Sequence, residues 1–198
     1  MGRSPRINYK DAYFHVYNRG VNKMAIVHDE QDRRTFIKLL AEMASKYQVR
    51  IFAYCLMSNH YHLFIQTREK NLSNALWYLS INYARYFNVR HDRVGPLYQG
   101  RFRSRLVDEH TYCLSLIRYI HQNPVEAGIA NSPQDYFWSS YPCYTGILPK
   151  WDWLDADWVL GLFARDPKLA QESFEAFHSE RPNHEMANKL SNIRKKLC

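Results

Sequence analysis

Two strand-like runs separated by only two residues constrain the fold of this chain more than any other feature. The first run, VRIFAYCLM, covers residues 49–57, and the second, HYHLFIQ, covers residues 60–66, with Ser58 and Asn59 between them. Runs rich in β-branched and aromatic residues with a short polar break are typical of an antiparallel hairpin. We therefore predict that this hairpin forms part of a sheet.

Periodic apolar residues predict helices on both sides of the hairpin. Phe36, Leu40 and Met43 recur at helical spacing after Asp29, a candidate N-cap. A later helix is predicted to end before Pro124, which disfavours helical geometry in the preceding residue. The predicted elements are a strand at 12–20, a helix at 30–47, the hairpin, a helix at 71–88, a strand at 97–107, a helix at 108–123, short helices at 157–164 and 168–178, and a weak basic helix or frayed end at 188–198. This order predicts an α+β sandwich, a mostly antiparallel sheet covered by helices.

Positive charge is concentrated in the first part of the chain. Residues 1–107 hold 18 Lys and Arg against 7 Asp and Glu, whereas residues 108–198 hold 9 against 12. A basic surface favours a polyanionic partner, and the 15 tyrosines, 10 phenylalanines and 5 tryptophans provide rings for base stacking. Solubility alone also accounts for some of this charge.

Length and composition indicate one main domain in an intracellular protein. The chain has 198 residues with 46% hydrophobic content, enough for a proper core. No apolar run reaches the roughly 18 residues of a membrane span, and we expect no signal peptide. The four cysteines form no CxxC pair, so neither a zinc ribbon nor a disulfide framework is indicated.

The second hairpin strand carries two histidines one residue apart. Side chains alternate between the faces of a strand, so His60 and His62 share one face while Tyr61 lies on the other. Residues at i and i+2 lie roughly 6.5–7 Å apart, which lets both imidazoles bind one divalent ion. Two ligands do not make a site, and the alternative is a pair of ordinary hydrogen-bonded histidines.

Two residues of the segment RYIHQNP supply further candidates. Tyr119 and Asn123 are four residues apart and therefore share one helix face. The amide oxygen of Asn123 is a hard ligand, so with two histidines and water it suits Mg²⁺ or Mn²⁺ better than a closed zinc site. Tyr119 beside such an ion can attack a phosphodiester and form a phosphotyrosine. The alternative for Tyr119 is a tyrosine packed in the core, and the sequence names no general base.

Arginines alternate with other residues in QGRFRSRLV. On a strand, Arg101, Arg103 and Arg105 would form one row able to bind successive phosphates, and a solvated edge strand is the alternative. Arg19 extends the basic surface. His15, His110 and His121 are interpreted as structural residues.

Together these segments resemble the HUH-type single-tyrosine transposases, and within them the bacterial REP-associated tyrosine transposases. The matching pieces occur in the family's order over residues 15–145 and are HVYNRG, AYCLMSNHYHLFIQ, GPLYQGRFRSRLV, LIRYIHQNPVEAGI and YFWSSYPCY. A single histidine triplet would mean little, but five ordered segments are specific.

The resemblance implies a ferredoxin-like or RRM-like sheet with the triplet on a central strand and the tyrosine on a facing helix. It implies that His60, His62 and Asn123 bind Mg²⁺ or Mn²⁺ and that Tyr119 is the nucleophile. The implied activity is cleavage and rejoining of single-stranded DNA near REP-like hairpins through a 5′-phosphotyrosine, by a monomer or homodimer in the bacterial cytoplasm, associated with the nucleoid. Residues 1–148 would form the catalytic domain and residues 149–198 a helical extension.

Two other classes of function are weighed against this one. A non-catalytic module that binds hairpin or single-stranded nucleic acid would share the basic, aromatic surface. A small-molecule metallohydrolase is less favoured, because the chain shows no further cluster of His and Asp.

Overall fold

A computed structural model describes residues 9–107 and 110–180 of the chain, without the side chains of residues 110 and 111. The strands are β1 (Ala12–Arg19), β2 (Val49–Leu56), β3 (His60–Thr67) and β4 (Arg103–Val107). The helices are α1 (Glu30–Tyr47), α2 (Leu72–Arg90), α3 (His110–Glu126), α4 (Tyr141–Tyr144), α5 (Ala156–Gly161) and α6 (Pro167–Ser179), with 3-10 turns at Val21–Lys23 and Pro133–Asp135.

The four strands form one antiparallel sheet in the order β2-β3-β1-β4. The first six large elements follow the sequence βαββαβ, and the two inner strands are the first and third. The predicted α+β fold with an antiparallel sheet and packed helices is therefore confirmed in its ferredoxin-like form. The hairpin of β2 and β3 and the bounds of α1 also agree with the sequence patterns.

The apolar residues of alternate strand positions bury one face of the sheet against α1 and α2. Tyr61 of β3 packs on Phe36 of α1, with ring centroids 5.1 Å apart, and Phe36 packs edge-on against Tyr83 of α2 at 5.0 Å. All three side chains are buried. Burying three large aromatic rings in this way is a major contribution to the stability of the domain. Because Tyr61 points to these helices, its neighbours in β3 point to the opposite face.

A buried carboxylate connects the start of α1 to the end of α2. Asp29 caps α1 by accepting a hydrogen bond from the backbone of Asp32. Asp32 is fully buried and accepts hydrogen bonds from the backbone of His28 and from the side chains of Arg90 and His91. Burial acts to raise the pKa of Asp32, but these hydrogen bonds outweigh it and hold the pKa below its usual range.

Three predicted element bounds are wrong, and one of them is the end of the helix predicted at 157–164, which is observed as α5 and ends at Gly161. The strand predicted at 97–107 is regular only from Arg103, because the Asn18 side chain binds the Gly100 carbonyl at 3.2 Å and bends the chain there. The helix predicted to end before Pro124 continues through it to residue 126. Pro124 lies in the last turn, where its missing N–H removes one hydrogen bond, and the Asn123 carbonyl still accepts one from Ala127.

The described part of the C-terminal segment packs on the sheet. Leu154 forms a bridge to Ile51 of β2, and the Trp158 ring of α5 lies 4.4 Å from that of Phe52. The proposed domain boundary between residues 148 and 149 stays a prediction, and the predicted basic tail at 188–198 lies outside the described residues. Among the helices that the structure describes, none is long and apolar enough for a membrane span.

Gly20, directly after β1, has no room for a side chain. A Cβ atom there would lie 2.1 Å from the carbonyl oxygen of Met24, so the backbone would have to move. We expect Gly20→Ala to lower the free energy of unfolding by about 1–3 kcal/mol in urea denaturation. Gly100→Ala is the matched control, because a Cβ at Gly100 meets no atom within 4 Å and should change stability by less than about 0.5 kcal/mol. Equal stability of the two variants would contradict this steric account.

Candidate functional site

The face of the sheet opposite α1 and α2 carries the candidate site. In the strand register, His62 of β3 lies beside Tyr17 of β1, which in turn lies beside Arg103 of β4. The next row places His15 of β1 beside Arg105 of β4. Directly paired residues share a face in an antiparallel sheet, so histidines and arginines occupy one surface.

The two histidines of the triplet are side by side, as the strand alternation predicts. Their ring centroids are 5.2 Å apart and the planes are perpendicular. Nδ1 of His60 is hydrogen-bonded to the Asn59 side-chain oxygen at 2.7 Å, and Nδ1 of His62 to Nε2 of His15 at 3.0 Å. Each ring therefore uses Nδ1 for a hydrogen bond, and Nε2 is the nitrogen that the predicted metal site would use.

The environment of His60 and of His15 favours the neutral form of each imidazole. Desolvation, with a smaller effect from the Arg19 cation, lowers the pKa of His60 to about 4. Burial, with a smaller effect from Arg105, lowers the pKa of His15 to about 3. A neutral imidazole is the form that binds a metal, so near neutral pH no proton needs to be removed from His60.

Tyr119 of α3 lies over the histidines. Its ring meets His62 edge-on with centroids 5.5 Å apart and meets His15 in the same way at 6.0 Å. Only 6% of Tyr119 is exposed, so in this conformation the ring is covered. The structure thus brings the predicted nucleophile against His62 of the triplet, although the two residues are more than 50 positions apart in sequence.

Asn123 lies one helical turn beyond Tyr119 and is buried. Its Nδ2 donates a hydrogen bond to the Tyr119 carbonyl at 2.6 Å. The amide nitrogen is thereby occupied, and the oxygen is the atom left to act as a ligand. The place of Asn123 in the metal site stays a prediction.

The opposite side of α3 is anchored to α6 by polar contacts. Arg118 donates to the Phe177 carbonyl at 2.9 Å and its guanidinium lies 4.1 Å from the Phe177 ring centroid. His121 is hydrogen-bonded to His178 at 3.0 Å and to the Ser140 hydroxyl at 2.7 Å. The predicted structural role of His121 agrees with these buried contacts, which fix the helix that carries Tyr119.

The predicted arginines divide into three placements. Arg103 and Arg105 lie on β4 on the same face as the histidines. Arg19 ends β1 directly opposite His60 and donates to the Gln99 side chain at 3.0 Å. Arg101 precedes β4 in a bend, so the strand alternation used to group it with Arg103 does not apply to it.

The donor set fits a hard divalent ion with an open coordination sphere. Among residues 9–107 and 110–180, no group of three or more His, Cys, Asp or Glu side chains is placed to bind a metal. Two imidazoles and one amide oxygen are too few ligands for a closed zinc site, and Mg²⁺ and Mn²⁺ accept amide oxygens and retain waters. The predicted site would therefore leave positions for water or for a phosphate.

His15 is the residue of this site that sequence reasoning interpreted only as structural. It is fully buried and contacts both His62 and Tyr119. In the sequence, His15, Tyr17 and Arg19 occupy alternate positions of β1, which indicates that they share one face of the sheet. Which of these three residues contacts His62 depends on the register between β1 and β3, which the sequence does not show.

Comparison with sequence families gives the class of protein: the chain is a transposase. The model for "Transposase IS200 like" matches residues 8–123, more than half of the chain. The chain belongs to the IS200-like transposase family, and the matched span includes the histidine triplet, Tyr119 and Asn123. No curated protein matches the chain.

One solved structure shares the fold of this chain. A REP-associated tyrosine transposase bound to a REP hairpin is 16% identical with a TM-score of 0.61, over 78% of this chain and 94% of that chain. A putative transposase from Deinococcus radiodurans is 17% identical with a TM-score of 0.42, over 57% of this chain and 91% of that chain. The family match confirms the predicted transposase family, and the first structure shows that the fold resembles that of a REP-associated tyrosine transposase.

Proposed function

We propose that this transposase cleaves and rejoins single-stranded DNA at hairpin-forming, REP-like sequences through a 5′-phosphotyrosine on Tyr119. The observation that carries the proposal is the edge-on contact of the Tyr119 ring with His62, at 5.5 Å, on a face that also presents Arg103 and Arg105. The solved relative was determined with a REP hairpin, which supports hairpin DNA as the substrate class.

Mg²⁺ or Mn²⁺ would be held by Nε2 of His60, Nε2 of His62 and the amide oxygen of Asn123. When bound, the ion supplies a Lewis acid that polarises the scissile phosphate and stabilises charge on the leaving oxygen. The hydrogen bonds at Nδ1 of both histidines orient their rings before DNA arrives, so little entropy is lost in assembling the site.

In the chemical step, the phenolic oxygen of Tyr119 attacks the phosphorus of the scissile phosphodiester. A bond forms between that oxygen and phosphorus, and the bond from phosphorus to the 3′ oxygen breaks. The phenolic proton passes to water, and the departing 3′ oxygen takes up a proton to become a hydroxyl. Rejoining is the reverse attack by a 3′ hydroxyl on the phosphotyrosine, which conserves the energy of the cleaved bond.

Arg103 and Arg105 would bind the DNA backbone beside the site. Each phosphate contact that is lost should reduce the slope of log affinity against log salt by about 0.7 for single-stranded DNA. We therefore expect the double variant Arg103→Gln/Arg105→Gln to weaken hairpin binding and to lower this slope by about 1.4 in fluorescence anisotropy titrations.

The matched control for this prediction is Arg34→Gln/Arg85→Gln. Both residues are exposed on α1 and α2, on the other face of the sheet, and the change in net charge is the same. If the two double variants lose the same affinity, binding reflects net charge and not the β4 surface.

The proposed reaction is tested by incubating the protein with labelled single-stranded hairpin DNA and Mn²⁺. A protein–DNA adduct that survives a denaturing gel, together with a free 3′ hydroxyl on the released strand, is the expected result. Tight, salt-sensitive hairpin binding without metal-dependent cleavage across REP-like sequences would contradict the proposal and favour a non-catalytic binding module.

A further inference from the structure

We propose that His15 is a positioning residue that holds His62 with its Nε2 directed at the metal ion. The inference rests on the proposed function and deepens it, because it assigns a task at the metal site to a residue of β1. It is carried by one contact: Nε2 of His15 lies 3.0 Å from Nδ1 of His62.

The contact is sheltered and well defined. Both side chains are fully buried, and the rings are stacked with centroids 5.2 Å apart and an interplanar angle of 19°. Without water to replace it, a lost hydrogen bond at this depth leaves a buried ring nitrogen unsatisfied. The rotation of the His62 ring therefore depends on His15.

The hydrogen bond between His15 and His62 has one donor and one acceptor, and which ring donates depends on where each ring carries its proton. To bind a metal through Nε2, His62 must carry its proton on Nδ1, and that proton must be donated to an acceptor. Nε2 of His15 is the acceptor, which requires His15 to be neutral with its own proton on Nδ1. In the opposite arrangement His15 donates to His62, the His62 proton moves to Nε2, and the metal-binding lone pair is lost.

His60 has a different orienting partner. Its Nδ1 is hydrogen-bonded to the Asn59 side-chain oxygen, and the nitrogen of the same amide donates to the Lys23 carbonyl at 3.1 Å. This second bond fixes which atom of the Asn59 amide is the oxygen, and an oxygen can only accept. The tautomer of His60 is thus set by an amide, whereas that of His62 depends on His15.

The test compares two substitutions of His15 whose amide side chains differ in length. In His15→Gln, the longer side chain can place its oxygen near the former Nε2 and accept from His62. In His15→Asn, the side chain is one methylene shorter and cannot reach that position. Both variants bury a polar amide at the same site, so their effects on folding should be similar. Thermal unfolding without metal measures that effect directly.

The readout is binding of Mn²⁺ alone, followed by the electron paramagnetic resonance signal of free Mn²⁺. We expect His15→Asn to bind Mn²⁺ about 10–100-fold more weakly than the wild type, the usual effect of losing an orienting partner, and His15→Gln to recover most of that loss. The matched control is His91→Gln, which changes a histidine hydrogen-bonded to the buried Asp32 at 2.9 Å, on the side of the sheet opposite the triplet. Its affinity for Mn²⁺ should change by less than threefold, on the order of 0.6 kcal/mol.

Two results would overturn the assignment of His15. One is wild-type affinity for Mn²⁺ in folded His15→Asn, and the other is equal weakening in both His15 variants. A wild-type protein that binds no Mn²⁺ and forms no adduct would overturn the proposed function itself, so the two failures are distinguishable.

Discussion

Replacing Tyr119 with phenylalanine should abolish formation of the covalent protein–DNA adduct. The substitution removes a single oxygen atom and keeps the ring that contacts His62 and His15, so the packing of α3 on the sheet should survive. Without a phenolic oxygen at this position, the new bond to phosphorus cannot form. We expect a loss on the order of 10³-fold or more, the scale seen when a nucleophile is removed from an enzyme.

Tyr17→Phe is the matched control for this experiment. Tyr17 is also buried, and its ring centroid lies 5.9 Å from that of His62, almost as close as Tyr119. It belongs to the sheet and not to α3, and we expect its variant to form the adduct at close to the wild-type rate. If Tyr119→Phe forms the adduct and Tyr17→Phe does not, the nucleophile is Tyr17 and the assignment made here is wrong.

Replacing His62 with alanine should have the second-largest effect, loss of metal-dependent cleavage. The variant loses one predicted metal ligand, and His15 loses its hydrogen-bond partner. Lewis acid stabilisation is worth several kcal/mol, which corresponds to a fall in cleavage rate of roughly 100-fold or more. The measurement is the cleavage rate as a function of Mn²⁺ concentration.

His60→Ala separates the loss of a ligand from the loss of stability. His60 is only partly buried, whereas His62 is fully buried, so His62→Ala also creates a cavity. Both variants should lose cleavage, but His62→Ala should unfold at the lower temperature. Cleavage by His62→Ala that continues unchanged in the presence of a chelator would show that the triplet does not serve a metal.

The elements that the sequence predicts well are those whose periodicity is strong. The alternation in β3 correctly places His60 and His62 on one face and Tyr61 on the other, because a two-residue turn leaves little freedom in the hairpin. The Asp29 cap and the apolar spacing of α1 likewise define that helix.

Local sequence patterns could not predict how strands that are distant in sequence pair with one another. The contact between His15 and His62 depends on how β1 pairs with β3, and the pairing of Arg103 with Tyr17 depends on β4. Neither pairing can be predicted from the residues of one strand alone. A long-range hydrogen bond from the Asn18 side chain to the Gly100 carbonyl lies at the bend before β4. The helix α3 continues through Pro124 because the backbone hydrogen bond from Ala127 to the Asn123 carbonyl still forms.

Anomalous scattering from Mn²⁺ in crystals would show whether the two histidines, Asn123 and Tyr119 form one site. We expect an ion within about 2–2.3 Å of Nε2 of both His60 and His62, with the Asn123 oxygen in the same coordination sphere and the Tyr119 hydroxyl beside it. An ion bound at other residues, or bound to the histidines while Asn123 and Tyr119 stay directed elsewhere even with hairpin DNA present, would contradict this expectation.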